Sequence, residues 1–391
     1  MKTWKLLFAL MMLTFVAACS NDQPVEFSDS FETAVETAEG TTVNMYMWGG
    51  DEGINDYIDD YVAPRVNEEY GVELNRVAMD TAEFIRQLSL DQKADRQVGT
   101  IDVVWINGDN FRNAKQAGLL RGGLMERVPN ATLLNETAQQ TDAGTPTDNL
   151  ELAWGNVQFI LHYDAERIQN PPTTFEELRR WTEDNPGRFT YPEVNDFTGN
   201  AFVRHLLYER YGAQLTDDPT IDEAFWDDLK AWSPHLWKEG QTYPKTLEQL
   251  DQLYASGEVW MTMGFNERRA EAEVTKGIFP KETRALLLDH SIASTHFLAI
   301  PFNAPNPDGA LVLIQELLSP DAQLVKQGPD YWGDGTSLDL TKLDEADRQA
   351  FKELGDGVTY PDTEQLRERS IPDYGPDVID AVREEWPRVA K

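Results

Sequence analysis

The chain has 391 residues, 41% of them hydrophobic, and its 68 acidic against 34 basic residues give a formal net charge of −34. That length supports two domains with cores of their own, and that charge argues against nucleic acid as a partner. The acids are spread along the whole chain, which reads as a solvated, self-repelling surface suited to a salty exterior.

Lys2 and Lys5 precede an apolar run over residues 6–16, and Ala17 and Ala18 lead into Cys19. This is the pattern of a secretion signal. Val16-Ala17-Ala18-Cys19 resembles a bacterial lipobox, in which Cys19 becomes the acylated first residue of the mature protein. The apolar run is shorter than the ~20 residues a membrane-spanning helix needs. Cys19 is the only cysteine, so neither an intramolecular disulfide nor a cysteine metal site is expected. Losing Lys2 and Lys5 with the signal takes the net charge from −34 to −36. Residues 20–41 carry six acids and no base, the composition of a mobile tether.

The body opens on Thr42-Val43-Asn44-Met45-Tyr46-Met47-Trp48-Gly49-Gly50, a strand followed by glycines that permit close backbone approach. Ile54, Tyr57, Ile58, Tyr61, Val62 and Val66 recur at helical spacing, Pro64 predicts a kink, and residues 72–77 predict a second strand. Asp80 and Glu83 have capping-box spacing ahead of a helix. Residues 99–106 then form an apolar, β-branched run that stops on Asn107-Gly108-Asp109-Asn110. Strand, helix, strand, helix, strand predicts a parallel sheet, and in such sheets ligands meet the carboxyl ends of strands. Asn107 and Asn110 are therefore candidate ligand contacts, the alternative being that Asp109 or Asn110 caps the next helix.

A second unit follows Trp154-Gly155. Val157, Phe159, Leu161 and Tyr163 alternate as a strand, Thr174 with Glu177 predicts a helix start, and residues 188–191 predict a short strand. Glu193-Val194-Asn195-Asp196-Phe197-Thr198-Gly199 is a turn delivering a helix, Thr246 caps another, and residues 259–263 form a strand ending on Gly264-Phe265-Asn266. The chain returns through strands at 284–288 and 295–300 and finishes in helices after Asp308, Pro320, Thr341 and Gly375.

A reactive constellation is not evident. There is no Gly-x-Ser-x-Gly elbow, His-Glu-x-x-His helix or phosphate loop, and His162, His205, His235, His290 and His296 lack tight ligand spacing. No metal and no cofactor is expected. Acid pairs are too abundant for any one of them to mark a glycosidase-like site. Trp48, Trp105, Trp154, Phe197, Phe265 and Trp332 all fall near strand ends or glycine turns, where rings either pack or stack on a planar or cationic ligand.

Met47-Trp48-Gly49-Gly50, the Trp105-Ile106-Asn107-Gly108 core, Pro186-Gly187-Arg188-Phe189-Thr190-Tyr191-Pro192 and Asp196-Phe197-Thr198-Gly199-Asn200-Ala201-Phe202 resemble segments of the extracellular solute-binding proteins of ABC importers, in particular the YnjB-like group. That larger set takes in thiamine, polyamine, sulfate and ferric-ion binders. The resemblance implies an α/β, two-lobe periplasmic-binding-protein-like fold of type II, with mixed sheets flanked by helices and a ligand cleft between lobes. It divides the chain into signal 1–19, tether 20–41, lobe 1 at 42–154 with 290–340, lobe 2 at 155–289, and C-terminal helices at 341–391.

Closure on a small molecule requires contacts from both lobes. Trp48, Gly49, Gly50, Asn107 and Asn110 are expected on one side, Asp196, Phe197, Thr198, Gly199 and Asn266 on the other, with Trp154 and Gln158 at the crossing. Amides at Gly49-Gly50 and after Thr198 suit an anion; Asp196 and the tryptophans suit a cation. The resemblance implies a thiamine-like or polyamine-like solute, with an oxyanion as the alternative. It also implies a permease partner, a monomer, and anchorage outside the cytoplasm through lipidated Cys19. A secreted carboxylate hydrolase and a structural surface lipoprotein are the competing functions.

Overall fold

The computed structural model describes residues 23–50, 52–216, 220–266, 268–355 and 363–390. The signal segment and Cys19 lie outside the described residues. The larger sheet starts with β1 (Thr42–Met47), β2 (Glu73–Ala78) and β3 (Val103–Ile106). β1 runs parallel to both neighbours, pairing Thr42 with Glu73 and Met45 with Val103, as the alternation of strands and helices predicts.

Pro64 is accommodated without a break. The helical path through Glu52–Asp56 widens to a π-helical stretch at Tyr57–Val62 and resumes at Ala63–Tyr70 with Pro64 in its first turn, so the amide that proline lacks falls where the hydrogen-bond register is already shifted. The helix Thr81–Lys93 begins after Asp80 as expected, although the Asp80 side chain caps nothing.

A two-strand ribbon, β4 (Thr141–Asp142) and β5 (Thr145–Pro146), leads to β6 (Glu151–Gln158) and β7 (Ile160–Asp164). The expected single strand through Phe159 is thus split between two sheets. β7 is the centre of a three-stranded antiparallel sheet with β8 (Met261–Gly264) and β9 (Thr283–Leu286). β10 (Ser291–Ala299) returns to the larger sheet between β3 and β6, β11 (Gly335–Thr336) adds to the far side of β6, and β12 (Ser370–Pro372) pairs with the start of β10. Only Phe159 separates β6 from β7, and only residues 287–290 separate β9 from β10. The two sheets are therefore joined by short crossing segments beside β6 and β10, the architecture of two lobes hinged on paired strands.

Residues 188–191, expected as a strand, form no ladder. The Arg188 carbonyl accepts from Trp260 N and the Phe189 carbonyl from Trp237 N, two different neighbours, while Phe189 and Tyr191 are fully buried. The burial produced the strand-like pattern; the backbone bonds go elsewhere. Thr174 and Thr246 cap as expected, their hydroxyls accepting from Glu177 N and Gln249 N at the starts of Phe175–Asp184 and Leu247–Ala255.

The mobile tether is corrected for its described part. Ser30 caps the helix Phe31–Ala38, which buries Ala34 and Ala38 against the helix Pro307–Leu317. Ser28 donates from N and Oγ to Asp308 at 2.9 and 2.6 Å, and Phe27 lies between the Arg121 and Arg127 guanidiniums, 5.1 and 4.7 Å from its ring centre. Phe31 and Val35 pack beside these alanines on the same core, and the acidic face is left to solvent. At the other end, Tyr374, Val378, Val382 and Trp386 join the core around β7, and buried Arg204 holds Asp373 through two bonds of 2.7 and 2.8 Å. Among the described residues, no helix is long and apolar enough to cross a membrane.

Candidate functional site

The carboxyl ends of β1 and β3 lie side by side and deliver Trp48 and Asn107 to one rim. Trp48 is 45% exposed and its ring covers Gly50, where a Cβ would stand 2.3 Å from the indole. Gly49 packs so closely on β2 that a Cβ would meet that of Ala78 at 2.6 Å. The helix Gly108–Gln116 starts one residue after β3 with Asn107 at its cap position, yet the Asn107 side chain makes no capping bond. Asp109 and Asn110 lie within the first turn, so neither is the cap. Gly108 N instead donates to Asp142 Oδ2 at 2.6 Å.

Behind this rim stands an aromatic wall that sequence reasoning did not assemble. The Trp105, Trp154 and Trp332 rings lie 5.1–5.5 Å apart, and His296 stacks on Trp332 at 5.5 Å with Trp105 edge-on at 5.0 Å. Trp154, expected as a ligand contact at the crossing, has no exposed surface. His296 opposes Gly155 and Phe297 opposes Ala153, which makes Trp154 the extra residue of a β-bulge turned into the core. Gln158 is corrected likewise: it is 2% exposed and donates to the Leu366 carbonyl at 2.8 Å.

On the other lobe, Asp196 is the N-cap of Phe197–Tyr211. Its Oδ1 accepts from Thr198 N and Gly199 N at 2.8 and 3.1 Å, and its Oδ2 from Leu247 N at 3.1 Å. Its carboxylate is thereby committed to local structure and not offered to a ligand. Thr198 is 5% exposed, and a Cβ on Gly199 would stand 2.2 Å from the Pro192 carbonyl, so both serve packing. From this turn Asn195 and Phe197 are exposed, Phe197 to 56%, with its ring 4.9 Å from that of Phe265. Asn266 bridges the lobes, donating through Nδ2 to the Trp332 carbonyl at 2.5 Å.

The charge facing the rim is negative. Burial raises the pKa of Asp109; Arg112, 2.6 Å away, opposes that, and Asp380 and Asp377 raise it further. The last two belong to the helix Pro376–Glu385, whose Ile379 carbonyl accepts from Asn200 of the Phe197–Tyr211 helix. Carboxylates of the two lobes thus approach each other across the rim, with Arg383 paired to Asp380 at 2.9 Å. Two further cavities of about 270 and 520 Å³ lie elsewhere, around Phe31 and Arg127 and around Trp237 and Lys245, and none of the expected site residues lines either. Among the described residues, no group of three or more His, Cys, Asp or Glu is placed to hold a metal ion.

The profile described as bacterial extracellular solute-binding protein matches residues 62–328, more than half of the chain. The chain belongs to this family. It is 33% identical to Protein YnjB of Escherichia coli K12 over 332 residues, covering 81% of this chain and 84% of that protein. It is 22% identical to the spermidine/putrescine-binding periplasmic protein of the same organism, over 86% and 87% of the two chains. Among solved structures, the spermidine/putrescine ABC transporter substrate-binding protein PotD of Streptococcus pneumoniae superimposes with a TM-score of 0.66 at 15% identity, over 90% of this chain and 100% of that one, a likeness of fold. The protein is an extracellular solute-binding protein with a two-lobe, periplasmic-binding-protein-like fold.

Proposed function

We propose that the protein is the receptor of an ABC importer, that its cleft closes on a small organic cation, polyamine-like or thiamine-like, and that the closed form delivers the solute to a permease. The observation that carries the choice of cation concerns the helix starts at the cleft. At the two helix starts the amides an oxyanion would use are occupied by the chain's own carboxylates, Gly108 N by Asp142 and Thr198 N and Gly199 N by Asp196. Asp109, Asp377 and Asp380 bring three carboxylates to the rim against the two guanidiniums of Arg112 and Arg383, and the exposed rings of Trp48 and Phe197 offer faces to an alkylammonium or a heteroaromatic cation. The spermidine/putrescine-binding relative supports the same solute class.

Native mass spectrometry of the protein purified from its own lysate tests this reading. The expected result is one intact organic cation released on activation. Retention of an oxyanion overturns the charge assignment, and a chemically altered product restores the hydrolase.

Anchorage through acylated Cys19 is the matching proposal for location. Cys19→Ser is expected to move the protein from the membrane pellet to the soluble fraction, because a lipid chain would be its membrane attachment. A variant that still pellets entirely with membranes overturns the lipoprotein reading.

A further inference from the structure

Residues 130–150 look patternless in sequence, yet they build a support beneath the cleft rim. Asn135 Oδ1 accepts from Thr137 N and Ala138 N and starts the helix Glu136–Gln140. β4 and β5 follow, joined by Ala143 (φ 42°) and Gly144 (φ 78°), the left-handed pair of a tight hairpin turn. Gln139 ties this unit to β6, donating to the Glu151 carbonyl and accepting from Ala153 N, both at 2.8 Å, while its own carbonyl accepts from Thr147 Oγ1 at 2.8 Å. Lys115 ties it to the rim helix through Asp148 at 2.7 Å. Held from both sides, Asp142 is 4% exposed with Oδ2 on Gly108 N. Gly108 sits at φ 59°, a conformation that favours glycine, with its amide held on Asp142.

We propose that Asp142 is the positioning residue of the cleft loop 107–110, and that the bond of its carboxylate to Gly108 N makes the geometry and charge of that loop respond to pH. The proposal rests on the reading that this loop lines the solute cleft. The groups facing Asp142 are Asp109 from the rim helix and Glu151 from β6, and Lys115 of the rim helix acts on Glu151. Burial pushes Asp142 up to about 7, with the Gly108 amide opposing and Asp109 adding. Burial pushes Glu151 up to about 11, with Asp142 adding and Lys115 opposing; Glu151 has no exposed surface and neither carboxyl oxygen has a hydrogen-bond partner, so it stays neutral and leaves Asp142 as the group that changes. Ionised Asp142 makes a charge-assisted bond to Gly108 N and deepens the negative potential under the rim; protonated, it does neither. By reciprocity, a bound cation and an ionised Asp142 favour each other, so cation affinity rises with pH through neutrality.

The test needs no solute. In ¹⁵N–¹H spectra of the solute-free protein taken from about pH 5.5 to about pH 8.5, the Gly108 amide is expected to shift with a midpoint near 7, because its proton lies on the titrating carboxylate. The shift is expected to vanish in Asp142→Asn, to move to lower pH in Asp109→Asn, and to stay in place in Glu151→Gln. A Gly108 resonance that is flat in the native protein, or that titrates unchanged in Asp142→Asn, overturns the proposal. The native titration and the Asp109→Asn shift decide the matter even if Asp142→Asn fails to fold. A flat resonance leaves the receptor reading standing, whereas failure to retain any solute in mass spectrometry strikes the receptor reading and leaves Asp142 as a positioning residue of a loop of other use.

Discussion

Lys326→Met is expected to lower the folding stability by about 3–5 kcal/mol at neutral pH, the scale for removing one partner of a buried ion pair. Lys326 and Asp334 have no exposed side-chain surface, and Nζ stands 2.5 Å from Asp334 Oδ2 and 2.8 Å from the Gly335 carbonyl. The pair lies under the crossing strands. A Cβ on Gly155 would stand 2.0 Å from Asp334 Oδ2 and 2.7 Å from Nζ, so glycine at the bulge is what lets the pair sit against β6. The ammonium also lies 5.4 and 5.9 Å from the Trp332 and Trp154 rings. Without it, the carboxylate is left facing His296, 3.6 Å away.

The loss should appear as a fall in Tm of roughly 6–20 °C for lobes of this size. Its pH dependence has a definite sign. Burial would raise the Asp334 pKa, but Lys326, with His296 adding, holds it below the ordinary carboxylate value. A depressed pKa contributes stability above the unfolded value of about 3.9 that is lost as pH falls through the folded one. Removing Lys326 removes that contribution and lets Asp334 protonate more readily, so the deficit of the variant should shrink as pH falls and the buried charge is neutralised. Lys326→Met combined with Asp334→Leu should recover most of the stability, since replacing both members of a buried pair is close to neutral. A single variant within about 1 kcal/mol of the native protein, or a double variant no better than the single, would show that the pair does not hold the crossing.

The elements legible in the sequence are those whose signals are local. Thr174 and Thr246 cap their helices because a hydroxyl three residues ahead of a free amide needs no tertiary partner. The ends of β1 and β3 were readable because apolar runs stop on Trp48-Gly49 and Asn107-Gly108. What failed depended on contacts distant in sequence. Trp154 looks like a crossing residue free to meet solute; the register slip opposite His296 that buries it belongs to the β6–β10 pairing and leaves no mark in either strand alone. Asp196 looks like a counter-charge for a cation, but a third bond, from Leu247 N, completes its use as a cap. Residues 130–150 have no periodicity because their order comes from Gln139, Asp142 and Asn149 bonding to neighbouring elements, Asn149 Oδ1 accepting from Met125 N at 2.7 Å. Asp377 and Asp380 escaped notice for a simpler reason: in a chain with 68 acids, two more on a helix carry no signal until the fold sets them beside Asp109.

Trp48→Ala and Phe197→Ala, one from each lobe, are each expected to weaken binding of the retained cation by roughly 5- to 150-fold, the equivalent of about 1–3 kcal/mol for a ring stacked on a desolvated cation. The rings are 45% and 56% exposed, so neither anchors its own core and the melting temperatures should remain near the native value. That separates them from Trp154→Ala, which would open a cavity among Trp105 and Trp332 and lower stability first. Asn107→Ala belongs with the exposed pair, because the Asn107 side chain caps nothing and its loss leaves the helix start held by Asp142. Two lobes matter to the argument as well as two rings. Only the closed form brings Trp48 and Phe197 to the same molecule, so each substitution should also reduce the fraction of protein that solute drives into the closed form, as read by small-angle scattering at fixed solute concentration. Calorimetric titration beside thermal melts supplies the decision. Weakened binding in folded variants from both lobes establishes a shared site; unchanged affinity in a folded variant from either lobe places the solute away from that rim, and affinity lost only in step with unfolding makes the two rings packing residues of their own lobes.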